Sequence, residues 1–325
     1  ATMLDRHYRC FACPIACGQE VKIKEGPYAG IEGHGPEYET LASFGALLLN
    51  DELEVIVKAN QLCNLYGIDT ISAGAAIALV MEAYEKGLLT AEDTGGLRLE
   101  WGNAEAILQL VERIAQREGL GDVLADGVRA VAKKLGPEAE EMAIHVKGLE
   151  MPMHDPRAFV DMAANYATAN RGGCHLEALS YWRGYGLEWK EWGQAGDWDR
   201  LHSDASKARA AYDFQNYLSV YNPLGLCKFI VKGLTGPETV VEWLNLAMGW
   251  DWTPDDLIHT GERLFNLKRM INVRLGITRA DDTLPRRLLT HARPSGSAAG
   301  VLPDLEPMLE EYYQLRGWTA EGVPT

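Results

Sequence analysis

A run of three cysteines close to the start, Cys10-Phe-Ala-Cys13-Pro-Ile-Ala-Cys17, constrains this chain more than any other stretch. Three thiols at C-x2-C-x3-C spacing make a set of soft ligands that lacks a fourth. Pro14 follows the second cysteine, fixes φ and denies a helical continuation, so the stretch is expected to wrap one centre as a loop. Two centres suit four thiolates, a tetrahedral structural zinc and a [4Fe-4S] cluster. Zinc sites made of cysteine alone are usually built from two C-x2-C pairs, and one pair with an offset third thiol favours the cluster. The reversed C-x3-C-x2-C spacing of radical enzymes does not fit. A disulfide framework is disfavoured, because six cysteines in 325 residues are sparse for a disulfide-built secreted protein and no signal peptide precedes them.

Size and charge narrow the partners. At 325 residues, 47% apolar and 24% charged, the chain can bury one large core or two. Its 31 Lys+Arg against 46 Asp+Glu give a formal charge of -15, which argues against nucleic acid and anionic membranes, since both demand a positive footprint. No apolar run approaches the ~20 residues of a membrane span. With thiols that look free, this composition predicts a cytoplasmic protein.

Helical signals dominate the remainder. After a short strand over 19–24 and a Gly-rich loop over 26–35, Pro36 marks a helix start with Glu37 and Glu39 in its first turn, where carboxylates suit the positive end of the dipole. Asn50 is expected to cap a helix to about Tyr66, Asp69 one from Thr70 to about Lys86, and Asn103 a third. Small residues in the second of these (Ala73, Gly74, Ala75, Ala76, Ala78) predict close backbone approach. A helix over 123–135, a short strand over 143–147, and a helix capped by Asp155 and running to Asn170 follow. The segment from Tyr181 to Trp198, with four of the nine Trp, reads as irregular surface or a channel wall. Helices are then expected over 205–221, from Thr253 with an apolar stripe of Leu257, Leu264, Ile271 and Leu275, and over 305–315. This is an all-α fold with a few short strands, in two helical domains, 1–150 and 151–325.

Two stretches repeat one frame. Asn64-x-x-Gly67-Ile68-Asp69 and Asn222-x-x-Gly225-Leu226-Cys227 each sit at a helix end, with Gly permitting positive φ and backbone N–H groups available to a polar ligand. Either they are ordinary helix stops or they hold two copies of one ligand. Because the second ends in Cys227, that thiol is the expected fourth ligand of the cysteine centre. Cys63, beside the first loop, is soft enough to ligate a metal but better suits a small buried apolar position.

Several stretches together resemble the tungsten-dependent aldehyde ferredoxin oxidoreductase family: the C-x2-C-x3-C run, Gly35-Pro-Glu37-Tyr-Glu39, Gly67-Ile-Asp69-Thr-Ile-Ser72, Arg171-Gly-Gly-Cys-His175, Gly225-Leu-Cys227, Gly276-Ile-Thr-Arg279-Ala-Asp-Asp282 and Tyr312-Tyr-Gln-Leu-Arg-Gly317-Trp318. They occur in the family's order across essentially the whole chain. The resemblance implies tungsten, or molybdenum, held by two pterin dithiolenes, with a [4Fe-4S] cluster on Cys10, Cys13, Cys17 and Cys227 passing electrons to ferredoxin or another redox protein. It gives the repeat a reason, one loop per pterin: Asn64, Gly67, Ile68 and Asp69 for the first, Asn222, Gly225 and Leu226 for the second, with Asn where the family usually has Asp. Glu37 and His175 resemble the family's acid/base pair, with Glu39 and His154 as substitutes, for oxidation of an aldehyde, or of a related acid or acyl thioester. The family's β-rich N-terminal domain is not in these 325 residues, so a separate subunit or a longer chain is expected to supply it, and a homodimer is compatible. No E-x-x-H is present, so an iron between subunits is not expected. Two other readings stay open: an electron-transfer subunit carrying only the cluster, and a helical scaffold around a four-cysteine zinc site.

Overall fold

The computed structural model describes residues 3–186, 198–233 and 235–325. Most of the Trp-rich stretch expected to be irregular therefore lies outside the described residues. The chain divides into two compact units, Ala1–Met153 and His154–Thr325, both mainly helical. Among the described residues no single helix is long and apolar enough to cross a membrane.

The first unit opens with a three-stranded antiparallel sheet, β1 (Leu4–Tyr8), β2 (Gly18–Lys22) and β3 (Glu32–His34). Tyr8 pairs with Gly18, so the cysteine run is the connection of a β-hairpin. Gly18 is required there, because a Cβ would lie 2.5 Å from the Tyr8 ring. The strand β1, Leu-Asp-Arg-His-Tyr, has three polar residues at its centre and no apolar alternation, which hides it from periodicity; β3 corrects the expectation that 26–35 is all loop, and its three residues, Glu32-Gly33-His34, give no strand signal. Helix α1 (Tyr38–Phe44) begins two residues later than expected, with Glu37 at the N-cap and only Glu39 in the first turn.

Helices α2 (Leu53–Tyr66), α3 (Thr70–Glu85), α4 (Ala104–Gln116), α5 (Leu120–Leu124), α6 (Val128–Leu135) and α7 (Pro137–Glu140) complete the unit with a two-stranded ribbon, β4 (His145–Val146) and β5 (Leu149–Glu150). Asp69 and Asn103 cap α3 and α4 through Ser72 N–H (2.8 Å) and Ala106 N–H (3.2 Å). Asn50 instead braces the turn ahead of α2, donating to the Phe44 carbonyl and accepting from Glu52 N–H, so that Glu52 takes the N-cap position. The single helix expected over 123–135 is interrupted, with Gly127 at φ +83° between α5 and α6. Phe44, Ile56, Ile77, Leu110 and Val131 form the core. The expected close approach along α3 is present at Gly74, where a Cβ would sit 1.9 Å from Ser43 Oγ on α1.

The second unit is built on α9 (Ala205–Ser219), which packs against α8 (Asp161–Thr168), α12 (Pro254–Arg274) and α14 (Leu305–Arg316). Between them lie α10 (Tyr221–Leu224), α11 (Pro237–Met248) and α13 (Arg286–Thr290). The helix expected from Asp155 is shorter, because Asp155 binds Arg157 N–H and its guanidinium in a turn rather than capping α8. Along α12 the buried face is Leu257, Gly261, Phe265 and Arg269, while Ile271 and Leu275 are exposed. Polar pairing decides this face: Arg269 forms a bidentate ion pair with buried Asp282 (2.8 Å) and donates to the Gly322 carbonyl.

Candidate functional site

The cysteine loop in the first unit is conformationally unusual. Of the five non-glycine residues at positive φ among the described residues, two are Ala12 (+55°) and Ala16 (+51°), each immediately before a cysteine. A left-handed residue costs roughly 1–2 kcal/mol for an L side chain, and turns of this kind gather backbone N–H groups into anion-binding concavities of the sort found at iron-sulfur sites. The chain is closed underneath by β1 and β2 and turned by a Cys13 N–H bond to the Cys10 carbonyl at 3.0 Å. Cys10 and Cys13 are free thiols, Cys10 and Cys17 are exposed, and Phe11 between them is fully exposed. A short hairpin loop that exposes Cys10 and Cys17, with Cys13 half-buried between them, fits a cluster that each thiolate must approach from a different side.

Both repeated loops have one geometry. Gly67 (φ +70°, ψ +36°) and Gly225 (φ +66°, ψ +22°) are left-handed caps, and the next N–H reaches back five residues, Ile68 to the Cys63 carbonyl and Leu226 to the Tyr221 carbonyl, each at 2.9 Å. The N–H groups of glycine and its aliphatic neighbour thus close the helix, and what each loop presents outward is its side chains, with Asn64, Asp69, Asn222 and Cys227 exposed. Gly67, Ile68 and Asp69 line a cleft of about 460 Å³ in the first unit, with Ser72, Arg117 and Glu150 on its walls. Buried Glu150 is already engaged, accepting from Ser72 Oγ and from Val128 N–H at the head of α6 (both 2.8 Å). Cys63 is 1% exposed and burial pushes its thiol up to about 12, which suits an inert core position rather than a thiolate ligand.

The two candidate carboxylates differ. Glu37 is exposed and forms no side-chain cap bond, whereas Glu39 is half-buried and its Oε2 accepts from Met153 N–H at 2.7 Å. In the second unit His154 and His175 are half-buried with ring centroids 4.9 Å apart, and Tyr181 stacks on His154 at 4.5 Å. The His154 carbonyl accepts from Tyr166 (3.0 Å), and His175 opens a 3-10 turn, His175–Glu177, after Gly172 at φ +102°. Tyr181 and Lys228 escaped sequence reasoning; a tyrosine among apolar residues and a lysine after a cysteine carry no pattern that separates them from scaffold.

The exposed thiols of the first unit's hairpin and, separately, the half-buried imidazole pair of the second unit are side chains of types that ligate soft metals. The family model for domains 2 and 3 of aldehyde ferredoxin oxidoreductase matches residues 1–325. The tungsten-containing aldehyde ferredoxin oxidoreductase of Pyrococcus furiosus is 39% identical over 324 residues, covering 99% of this chain and 51% of that protein, and that of Thermococcus kodakarensis is 38% identical with the same coverage. A WOR-like subunit of an aliphatic sulfonate oxidoreductase from P. furiosus is 28% identical over 338 residues, 99% of this chain and 49% of its own. In fold the chain is similar to the active-site complex BamBC of benzoyl coenzyme A reductase, with a TM-score of 0.75 at 22% identity, covering all of this chain and 52% of the other. The chain belongs to the aldehyde ferredoxin oxidoreductase family. It spans about half the length of the curated relatives that it matches.

Proposed function

We propose that this chain is the cluster- and pterin-binding portion of a tungsten (or molybdenum) oxidoreductase that oxidises an aldehyde to a carboxylic acid. The observation that carries the reading is the C-x2-C-x3-C hairpin, with its left-handed residues ahead of Cys13 and Cys17, in a chain whose whole length matches the family. When bound, a metal bis-pterin accepts two electrons from the substrate and a [4Fe-4S] cluster relays them singly. Cys10, Cys13 and Cys17, with Cys227 from the second unit, are the proposed cluster ligands; the Asn64–Asp69 and Asn222–Leu226 loops are the proposed pterin contacts through their outward side chains.

For the chain's own part, aldehyde oxidation requires a proton to be taken from attacking water and the carbonyl oxygen to be polarised. Glu39 is proposed ahead of Glu37 as proton acceptor, because one of its oxygens is fixed by Met153 N–H and its carboxylate is partly withdrawn from water. His175 is the proposed donor to the carbonyl oxygen, its ring held against His154, which Tyr181 stacks in place. Ferredoxin or a similar redox protein takes the electrons.

Metal analysis of anaerobically purified protein tests this. About four irons with one tungsten or molybdenum per chain is the expected result. Iron alone would reduce the chain to an electron-transfer subunit, and zinc alone would overturn the mechanism.

A further inference from the structure

Lys228 follows Cys227 directly and opens the 3-10 turn Lys228–Gly233. A lysine at a surface loop ordinarily extends its ammonium into water. This one turns inward: the side chain is half-buried and Nζ donates to the carbonyl of Leu176, in the turn that His175 begins. Its surroundings are cationic in a chain of net charge -15. Arg171 Nη1 lies 3.6 Å from Cys174 Sγ, Lys268 Nζ lies 3.7 Å from Glu177 Oε1, and all four groups act electrostatically on Lys228. Lys228 and Lys268 thus both act on one carboxylate, Glu177, which is itself held by Asn170 N–H at 2.7 Å, with Arg171 as a further cation near Lys228.

We propose that Lys228 is a positioning residue that ties the Cys227 loop to the His175 turn and whose fixed charge raises the reduction potential of the iron-sulfur cluster ligated by Cys227. The proposal rests on the reading of Cys227 as a cluster ligand. Adding an electron makes a thiolate-bound cluster more negative, and a cation one residue from a ligand, partly withdrawn from water, stabilises the reduced form more than the oxidised one. The bond to the Leu176 carbonyl prevents the ammonium from relaxing away into solvent, so its charge acts at a fixed place. The same bond makes the turn carrying His175 dependent on the loop carrying Cys227.

The test uses the full chain purified anaerobically, with iron counted per chain and the cluster titrated electrochemically by EPR. K228M is expected to keep the parent's iron content and to move the midpoint potential to a more negative value, while K228R returns it towards the parent. An unchanged potential in K228M, or a K228R potential as negative as that of K228M, overturns the proposal. Should K228M fail to assemble the cluster, K228Q decides, since it keeps a donor for the Leu176 carbonyl without the charge: a negative shift supports the proposal and the parent's potential refutes it. C227S separates this from the underlying reading, because a variant with the parent's iron content and potential would remove Cys227 from the ligand set.

Discussion

Two glutamates two residues apart illustrate how little type alone decides at the scale of the residue. Glu37 and Glu39 both fit the motif, but the helix starts at Tyr38, which leaves Glu37 at the exposed N-cap and turns Glu39 inward to Met153 N–H. As the proposed proton acceptor, Glu39 predicts that E39Q lowers turnover about 100-fold or more, the usual range for loss of a positioned base, with iron and tungsten content unchanged. E37Q should stay within a few-fold of the parent. Steady-state aldehyde oxidation with a viologen acceptor measures both, and the reverse order would return the role to Glu37. Cys63 makes the opposite point. Softness makes it a candidate ligand, but the buried apolar role is the stronger reading, and its burial pushes the thiol up to about 12. Alkylation of native, metal-free protein at pH 8 should modify Cys63 far more slowly than exposed Cys10, Cys17 and Cys227, and equal rates in peptide mapping would contradict its burial.

At the scale of the element, the caps of α3, α4 and α12 and the buried face of α4 were legible, whereas the caps expected of Asn50 and Asp155 and the face of α12 were not. Asp69, Asn103 and the Thr253 capping box act locally, through N–H groups within three residues, so a sequence window contains everything that determines them. The buried face of α12 is decided from outside the helix. Periodicity picked Leu257, Leu264, Ile271 and Leu275, but the core takes Gly261 and Arg269 because α9 and Asp282 stand opposite them. A Cβ on Gly261 would come 1.8 Å from the Asn216 carbonyl oxygen, in backbone that cannot yield cheaply. G261A is accordingly expected to destabilise the second unit by about 3 kcal/mol. L275A, at a side chain 77% exposed, should stay within about 0.5 kcal/mol. Denaturant unfolding compares them, and a larger loss in L275A would restore the original stripe. The cysteine motif was visible for the reason that those caps were, its three thiols lying within eight residues of chain. Lys228 was not, since its partner at Leu176 is 52 residues away.

Whole-molecule stability adds a pH dependence that originates in one buried acid. Asp161, the first residue of α8, is completely buried, and burial pushes its carboxyl up from 3.8 to about 6 against the opposing pull of Ser180, Lys207 and Arg183. An acid whose folded pKa lies above its unfolded value binds its proton more tightly in the native state. Its contribution is fully present below about pH 4, is lost as pH rises through about 6, and leaves at neutral pH a cost on the order of 3 kcal/mol. The overall charge of -15 also makes the native state sensitive to pH, so the informative quantity is the difference between variant and parent at each pH. D161N cannot ionise and keeps the shape of the side chain. Its melting temperature should exceed the parent's by several degrees at pH 7.5, with the gain vanishing near pH 4, where the parent's Asp161 is protonated. A D161N protein less stable than its parent at pH 7.5 would mean that Lys207 and Arg183 hold Asp161 as a net-favourable buried ion pair, and the sign of the pH dependence would then reverse.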